Sequence, residues 1–178
     1  ARRAGVELRR EEGGAAPWKG GGQRHRLLDA HTAAAEFFVA SLASPEGEIG
    51  RAFLIERGFD ESSWPRFGVG YAPNGWDITV NHLRRLGFTD AELLAGGIAS
   101  QGQRGPIDRF RGRLNPANRD RKGDIIGFGA RKLREDDQGP KYLNTPETPL
   151  YKKSQVLYGV DLAKHEIATT GKAVVVEG

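Results

Sequence analysis

The sequence predicts an α+β fold, with helices first and an antiparallel sheet after them. Two observations carry this. Apolar residues recur at three- and four-residue steps up to about residue 97, and period-two alternation then takes over in RFRGRL (109–114) and IIGFGARKL (125–133). Between those runs lies RDRKGD (119–124), a polar stretch with the Lys-Gly pair of a hairpin turn.

In chain order, residues 1–25 are Arg- and Gly-rich without periodicity and read as a flexible basic linker. A helix is predicted over 26–43, where Leu27, Ala34, Phe38 and Leu42 form one stripe that also carries His31, read as a packed histidine. Ser44 suits a cap, Pro45 a first helical position, and Glu46 and Glu48 the positive end of the dipole. Gly58 would end this second helix, and Ile49, Ala52 and Phe53 would face inward. FGVGYAP (67–73) reads as a strand. Asn74-Gly75 turns into a helix over Trp76–Leu86 stopped by Gly87, and Thr89 caps a short helix ending at Gly96-Gly97. KYLNTPETPLYKKS (141–154) is extended, because Pro146 and Pro149 exclude regular helix. A last helix is expected from Asp161 to Gly171, followed by a buried strand in AVVVEG (173–178).

Composition narrows the function. The 178 residues suffice for one domain plus a linker or part of a second. Glycine is abundant at 25 residues, about twice the usual share, which favours close approach of backbone to a partner. The chain has no cysteine, which excludes disulfides and thiolate metal sites. Its four histidines (25, 31, 82 and 165) are too scattered for a zinc centre. No apolar run approaches the ~18 residues of a membrane span, so no membrane partner is expected and a cytoplasmic location is the default. The chain lacks methionine, even at position 1, and ends abruptly, so a piece of a longer protein is expected.

The net charge of +4 matters less than where the cations stand. On a strand, Arg109, Arg111 and Arg113 would share one face at ~6.5–7 Å intervals, a spacing comparable to that of backbone phosphates. Arg119, Arg121 and Lys122 continue the charge through the turn, and Arg131 and Lys132 through the return strand. There Gly127 and Gly129 would leave one face bare to a ligand. Lys141, Asn144, Lys152 and Lys153 form a second constellation on the proline-rich loop, where Tyr142 and Tyr151 are read mainly as packing beneath it. Glu177 is a third candidate: a salt-bridge partner, a general base or one Mg²⁺ ligand.

The stretches PIDRFRGRL, DIIGFGARKL, PKYLNTPETPLYKKS, LYGVDLAK and AVVVEG, in this order and spacing, resemble the RNA-polymerase domain of bacterial replicative DNA primases of the DnaG type. FLIERGF, RFGVGYAPNGW and the GG after LLA extend the likeness more loosely to about residue 26. The resemblance implies a core subdomain over 26–171 with a strongly curved, mixed but largely antiparallel sheet, and residues 172–178 as the first strand of a Toprim α/β subdomain. It implies synthesis of short RNA primers on single-stranded DNA template from ribonucleoside triphosphates. Arg57, Arg109, Arg111, Arg131, Lys141, Asn144 and Lys153 would bind template and nucleotide. Glu177 would be the first catalytic acid and a ligand of Mg²⁺ or Mn²⁺, the remaining ligands lying outside the chain. The family's zinc module and the C-terminal domain that docks the replicative helicase are not represented in these residues. The family's apolar strand ending in Phe-Pro-Ile reads LNPANRD (114–120) here. Asn115, Ala117 and Asn118 are poor residues for a buried strand, so either the strand is locally distorted or residues 114–120 are incorrectly assigned.

A non-catalytic single-stranded nucleic-acid-binding module of primase ancestry is the alternative. A Toprim protein of another kind is opposed by the KYLNTPET loop.

Overall fold

A computed structural model of the protein describes residues 21–176. The arm read over 1–25 lies mostly outside them, and its last residues belong to a helix: α1 runs Gly21–Ala43, starting before residue 26. Leu27, Ala30, His31, Ala34, Phe38 and Leu42 make its buried stripe, the periodicity the sequence displays. The chain then turns through a 3₁₀ segment at Pro45–Gly47 into α2 (Glu48–Glu56). Ser44 does not cap through its side chain; its hydroxyl donates instead to Ser41 O at 2.7 Å.

The inward face of α2 differs from the one predicted. Gly50 and Leu54 are buried and Phe53 is half-buried, whereas Ile49 and Ala52 are exposed. The cause is close approach at Gly50: a Cβ there would lie 2.9 Å from Leu42 Cδ1 and 3.3 Å from Leu114 Cδ1. The helix seats on its glycine, and this turns Leu54 inward in place of Ile49.

Four strands form the main sheet: β1 (Val69–Ala72), β4 (Arg113–Arg119), β5 (Ile125–Lys132) and β6 (Tyr142–Asn144), ordered β1-β4-β5-β6 and antiparallel throughout. Between β1 and β4 the chain makes α3 (Ile78–Arg85), α4 (Asp90–Ala95) and a separate hairpin, β2 (Ala99–Gly102) with β3 (Gly105–Asp108). Thr89 caps α4 in a full capping box with Glu92, as its position suggests.

α1 covers one face of the sheet. Phe38, Phe110 and Phe128 are buried together there, with Phe128 edge-on to both others at 5.2 and 5.8 Å. Each such side chain contributes roughly 1.5–3 kcal/mol by leaving water. Gly70 lets α1 lie this close, since a Cβ would fall 2.5 Å from Phe38 Cβ. A smaller cluster of Leu42, Leu54, Trp64, Tyr71 and Leu114 fills the space under α2 on the opposite face.

Several predicted features take a different form. RFRGRL is not one strand: residues 109–112 turn, and β4 begins only at Arg113. LNPANR does form a strand despite its composition. It sits centrally between β1 and β5, with Asn115 and Asn118 buried, and the irregularity falls at Asn118/Arg119. The bare face expected at Gly127 is filled by Thr145, whose Oγ1 accepts from Phe128 N–H at 2.8 Å. The last helix, α5 (Val160–Thr170), is entered through Gly159 at φ 76° and not through Asp161. Residues 172–176 form no strand, and Val174, Val175 and Val176 are exposed.

Candidate nucleic-acid interface

Cross-strand register builds the site. Tyr71 pairs with Leu114, Leu114 with Arg131, and Arg131 with Tyr142, so these four residues form one row across the sheet. Paired residues share a face. That face is the one α2 overhangs, and together they bound a groove of about 730 Å³. Its floor is apolar (Phe53, Leu54, Trp64, Leu114, Pro116), and Arg57, Arg131, Asn144 and Tyr142 stand around it.

The guanidinium of Arg131 lies over two rings, 5.2 Å from Phe53 and 5.1 Å from Tyr142. Arg57 also stacks on Phe53 at 5.2 Å, and Lys141 Nζ lies 5.6 Å from the Tyr142 ring. These contacts fix the stems and leave charged edges free to grip an anion. Tyr142 is 64% exposed, so the packing role expected for it does not apply; Tyr151, at 6%, does pack beneath the loop.

A second cleft of about 470 Å³ lies on the other side of β6, lined by Trp76, Arg109, Arg111, Arg113, Asp137 and Leu143 among others. Strand alternation makes β6 the wall between the two: Tyr142 and Asn144 line the first groove, Leu143 the second. Arg109 ties its turn to this wall, donating to Asn144 O (3.2 Å from Nη2) and to Ser100 Oγ (3.2 Å). Partial burial draws its guanidinium below the ordinary value for arginine, which leaves it cationic. Arg111 stacks over Trp76 at 4.0 Å, and Trp76 is 64% exposed.

The row expected from Arg109, Arg111 and Arg113 does not form, because the first two sit on a turn and the third is inside. Arg113 is 4% exposed, bound to Asp137 at 2.6 Å and to Pro140 O at 2.7 Å. It anchors the loop that leads into β6 and is not free to meet a ligand. Lys153 stands apart in a 3₁₀ turn, its backbone N–H donating to Glu147 Oε1 at 2.9 Å.

The remaining cations share one property. Among the described residues, ion pairs engage His25, Arg26, Arg84, Arg113 and Arg134, but not Arg57, Arg109, Arg111, Arg131, Lys141 or Lys153. Three of them lie beside exposed rings, Arg111 at Trp76 and Arg131 and Lys141 at Tyr142, a combination able to meet phosphates and bases together. Sequence reading missed Trp76. Its signal was an indole directly after an Asn-Gly turn, where a buried partner is hard to reach.

Glu177 lies outside the described residues, and no group of three or more His, Cys, Asp or Glu among them could hold a metal ion. The described residues therefore do not make a metal centre. None of the described helices is long and apolar enough to cross a membrane.

Comparison with known proteins accords with this geometry. Residues 37–164 match the family described as DNA primase catalytic core, N-terminal domain. The DNA primase of Streptomyces coelicolor is 58% identical across 100% of this chain, which covers 28% of that protein. The crystal structure of the RNA polymerase domain of Mycobacterium tuberculosis primase DnaG is 51% identical, with a TM-score of 0.85 over 87% of this chain and 50% of that one. A DnaG primase catalytic domain bound to single-stranded DNA matches with a TM-score of 0.74 at 35% identity, over 84% of this chain and 46% of that one. This chain belongs to the family of the DNA primase catalytic core, as its N-terminal domain.

Proposed function

We propose that this chain is the template- and nucleotide-binding part of a bacterial DNA primase, which makes short RNA primers on single-stranded DNA. The observation that carries the reading is the set of unpaired cations beside exposed rings on both sides of β6. A solved relative is described as a primase catalytic domain bound to single-stranded DNA, which supports it.

In this reading residues 26–171 form the substrate-binding subdomain and 172–178 open the metal-carrying one, with Glu177 its first acid. Glu177 would help hold Mg²⁺ or Mn²⁺, whose charge would be supplied to the attacking and leaving oxygens when a 3′-hydroxyl displaces pyrophosphate from an α-phosphate. Arg57, Arg131, Lys141 and Asn144 hold one stretch of backbone or triphosphate along the first groove, and Arg109 and Arg111 hold another along the second. Their part is to orient and to neutralise charge, not to move protons. Lys153 adds charge at the edge. A replicative helicase, a zinc module and a cytoplasmic site at the replication fork belong to the whole protein of this reading.

Fluorescence anisotropy with a labelled single-stranded oligonucleotide tests it. Arg109→Glu and Lys141→Glu should each weaken binding by about tenfold or more, as expected when an attractive phosphate contact becomes repulsive. Unchanged affinity in both, with the fold intact by circular dichroism, sinks the assignment. The chain alone, given ribonucleotides and Mg²⁺, should make no primer.

A further inference from the structure

Asp108 ends β3 with only 1% of its surface exposed, and it makes four bonds in three directions. Its Oδ2 accepts from Thr79 N–H at 2.7 Å and its Oδ1 from Val80 N–H at 2.9 Å, both in the first turn of α3. Its own N–H donates to Trp76 O at 2.7 Å. Its carbonyl accepts from Arg111 Nη1 at 3.2 Å, the only hydrogen bond that the Arg111 guanidinium makes among the described residues. Trp76 and Arg111 are the two partners of the 4.0 Å stack at the mouth of the second cleft.

An exposed tryptophan has little packing to hold it, and an arginine with four rotatable bonds loses considerable entropy when fixed. Something must set their relative position, and the one residue bonded to both is Asp108. The carboxylate is the anchor. Both oxygens are used by α3, so the residue cannot shift without leaving buried helix N–H groups unpaired.

We propose that Asp108 is a positioning residue that aligns the Trp76–Arg111 stack, so that a base can lie on the indole while its phosphate meets the guanidinium. This rests on the reading of the face as a surface for single-stranded DNA. Asp108 touches no ligand; it acts through the two residues that do.

The test uses Asp108→Asn in the full chain. An amide has the carboxylate's shape but presents a donor to one of the two α3 N–H groups. Three indole N–H resonances are expected by NMR, from Trp18, Trp64 and Trp76, and Trp76→Phe assigns the last. In Asp108→Asn the Trp76 resonance should move or broaden while that of Trp64, buried in the other core cluster, stays in place. Affinity for a single-stranded oligonucleotide should fall about tenfold, within the range of one lost base–aromatic contact. It should fall no further in Asp108→Asn/Trp76→Ala than in Trp76→Ala alone.

A Trp76 resonance unmoved by Asp108→Asn overturns the proposal, and so do fully additive affinity losses. If the resonance moves but the unaltered chain binds no oligonucleotide, the positioning role stands and the DNA-binding reading falls. Should Trp64 shift as well, Asp108→Ser is the variant to read by the same criteria, since a serine hydroxyl still accepts one helix N–H.

Discussion

His31 has no exposed surface, stacks on Phe128 with centroids 5.7 Å apart, and has Nδ1 2.8 Å from Leu27 O. The carbonyl can only accept, so Nδ1 carries the proton and Nε2 is the bare nitrogen, left without a partner. Burial holds the imidazolium form down, below the ordinary histidine value. The unfolded chain therefore takes up a proton first, at about pH 6.5. Stability is complete above that pH and declines as pH falls toward the folded value. Urea unfolding should show this decline between pH 7.5 and 5, and His31→Leu should flatten it; equal slopes in both proteins would assign the effect to other groups. Arg113 poses a different problem, because its charge is buried with a partner. Arg113→Ala would strand Asp137, and Asp137→Ala would strand Arg113. Each should cost about 3 kcal/mol, the lower end for a broken buried pair given the 25% exposure of Asp137. A loss below about 1 kcal/mol by chemical denaturation would place the pair among ordinary surface bridges.

Elements were legible where local chemistry decides them and illegible where tertiary contact does. α1 shows its stripe, α4 its Thr89 cap, and the β4–β5 turn its Lys-Gly pair, where Asp120 Oδ1 accepts from the N–H groups of Lys122, Gly123 and Asp124. The β2–β3 hairpin was not seen, because ASQG and GPID have little strand propensity and are held by pairing and by the bonds of Asp108 to α3. β4 forms from a sequence that argues against it, since strands on both sides supply its ladder. AVVV has the propensity, yet residues 173–176 pair with no strand. The sequence offers these cations as candidates, but their division into two clefts was not legible in it. It depends on Arg109 turning onto β6 and Arg113 turning inward. Glycines test this contrast between local and tertiary control. Gly70→Ala should destabilise by about 1–3 kcal/mol or more, since its Cβ meets the Phe38 backbone carbon at 2.6 Å. Gly22→Ala, in α1 with nothing within 4 Å among the described residues, should instead stabilise by about 0.5–1 kcal/mol. Thermal unfolding of the two variants reads both signs, and a neutral Gly70→Ala would show that α1 and β1 can separate at little cost.

Over the whole molecule, the proposed function asks two kinds of contact of the clefts beside β6, and one measurement should separate them. Cations act on phosphates and release counterions, so each contact steepens the salt dependence of binding, by about 0.7 in the log–log slope per phosphate of a single strand. Rings act on bases and release none; a stacked base contributes about 1–3 kcal/mol with no change in slope. Arg131 and Tyr142 are direct cross-strand partners, the guanidinium 5.1 Å from the ring centroid, which makes them the sharpest pair to compare. Arg131→Ala should lower the slope by about 0.7 and weaken binding most at low salt. Tyr142→Ala should weaken binding by a similar factor at every salt concentration. Lys164→Ala is the control: this lysine is on α5, donating to Arg121 O at 3.1 Å, and lines neither cleft. If it reduces the slope as much as Arg131→Ala, the chain binds DNA through net charge alone and the clefts have no special part. If only Arg131 does, the oligonucleotide lies along the first groove, as the proposed function requires.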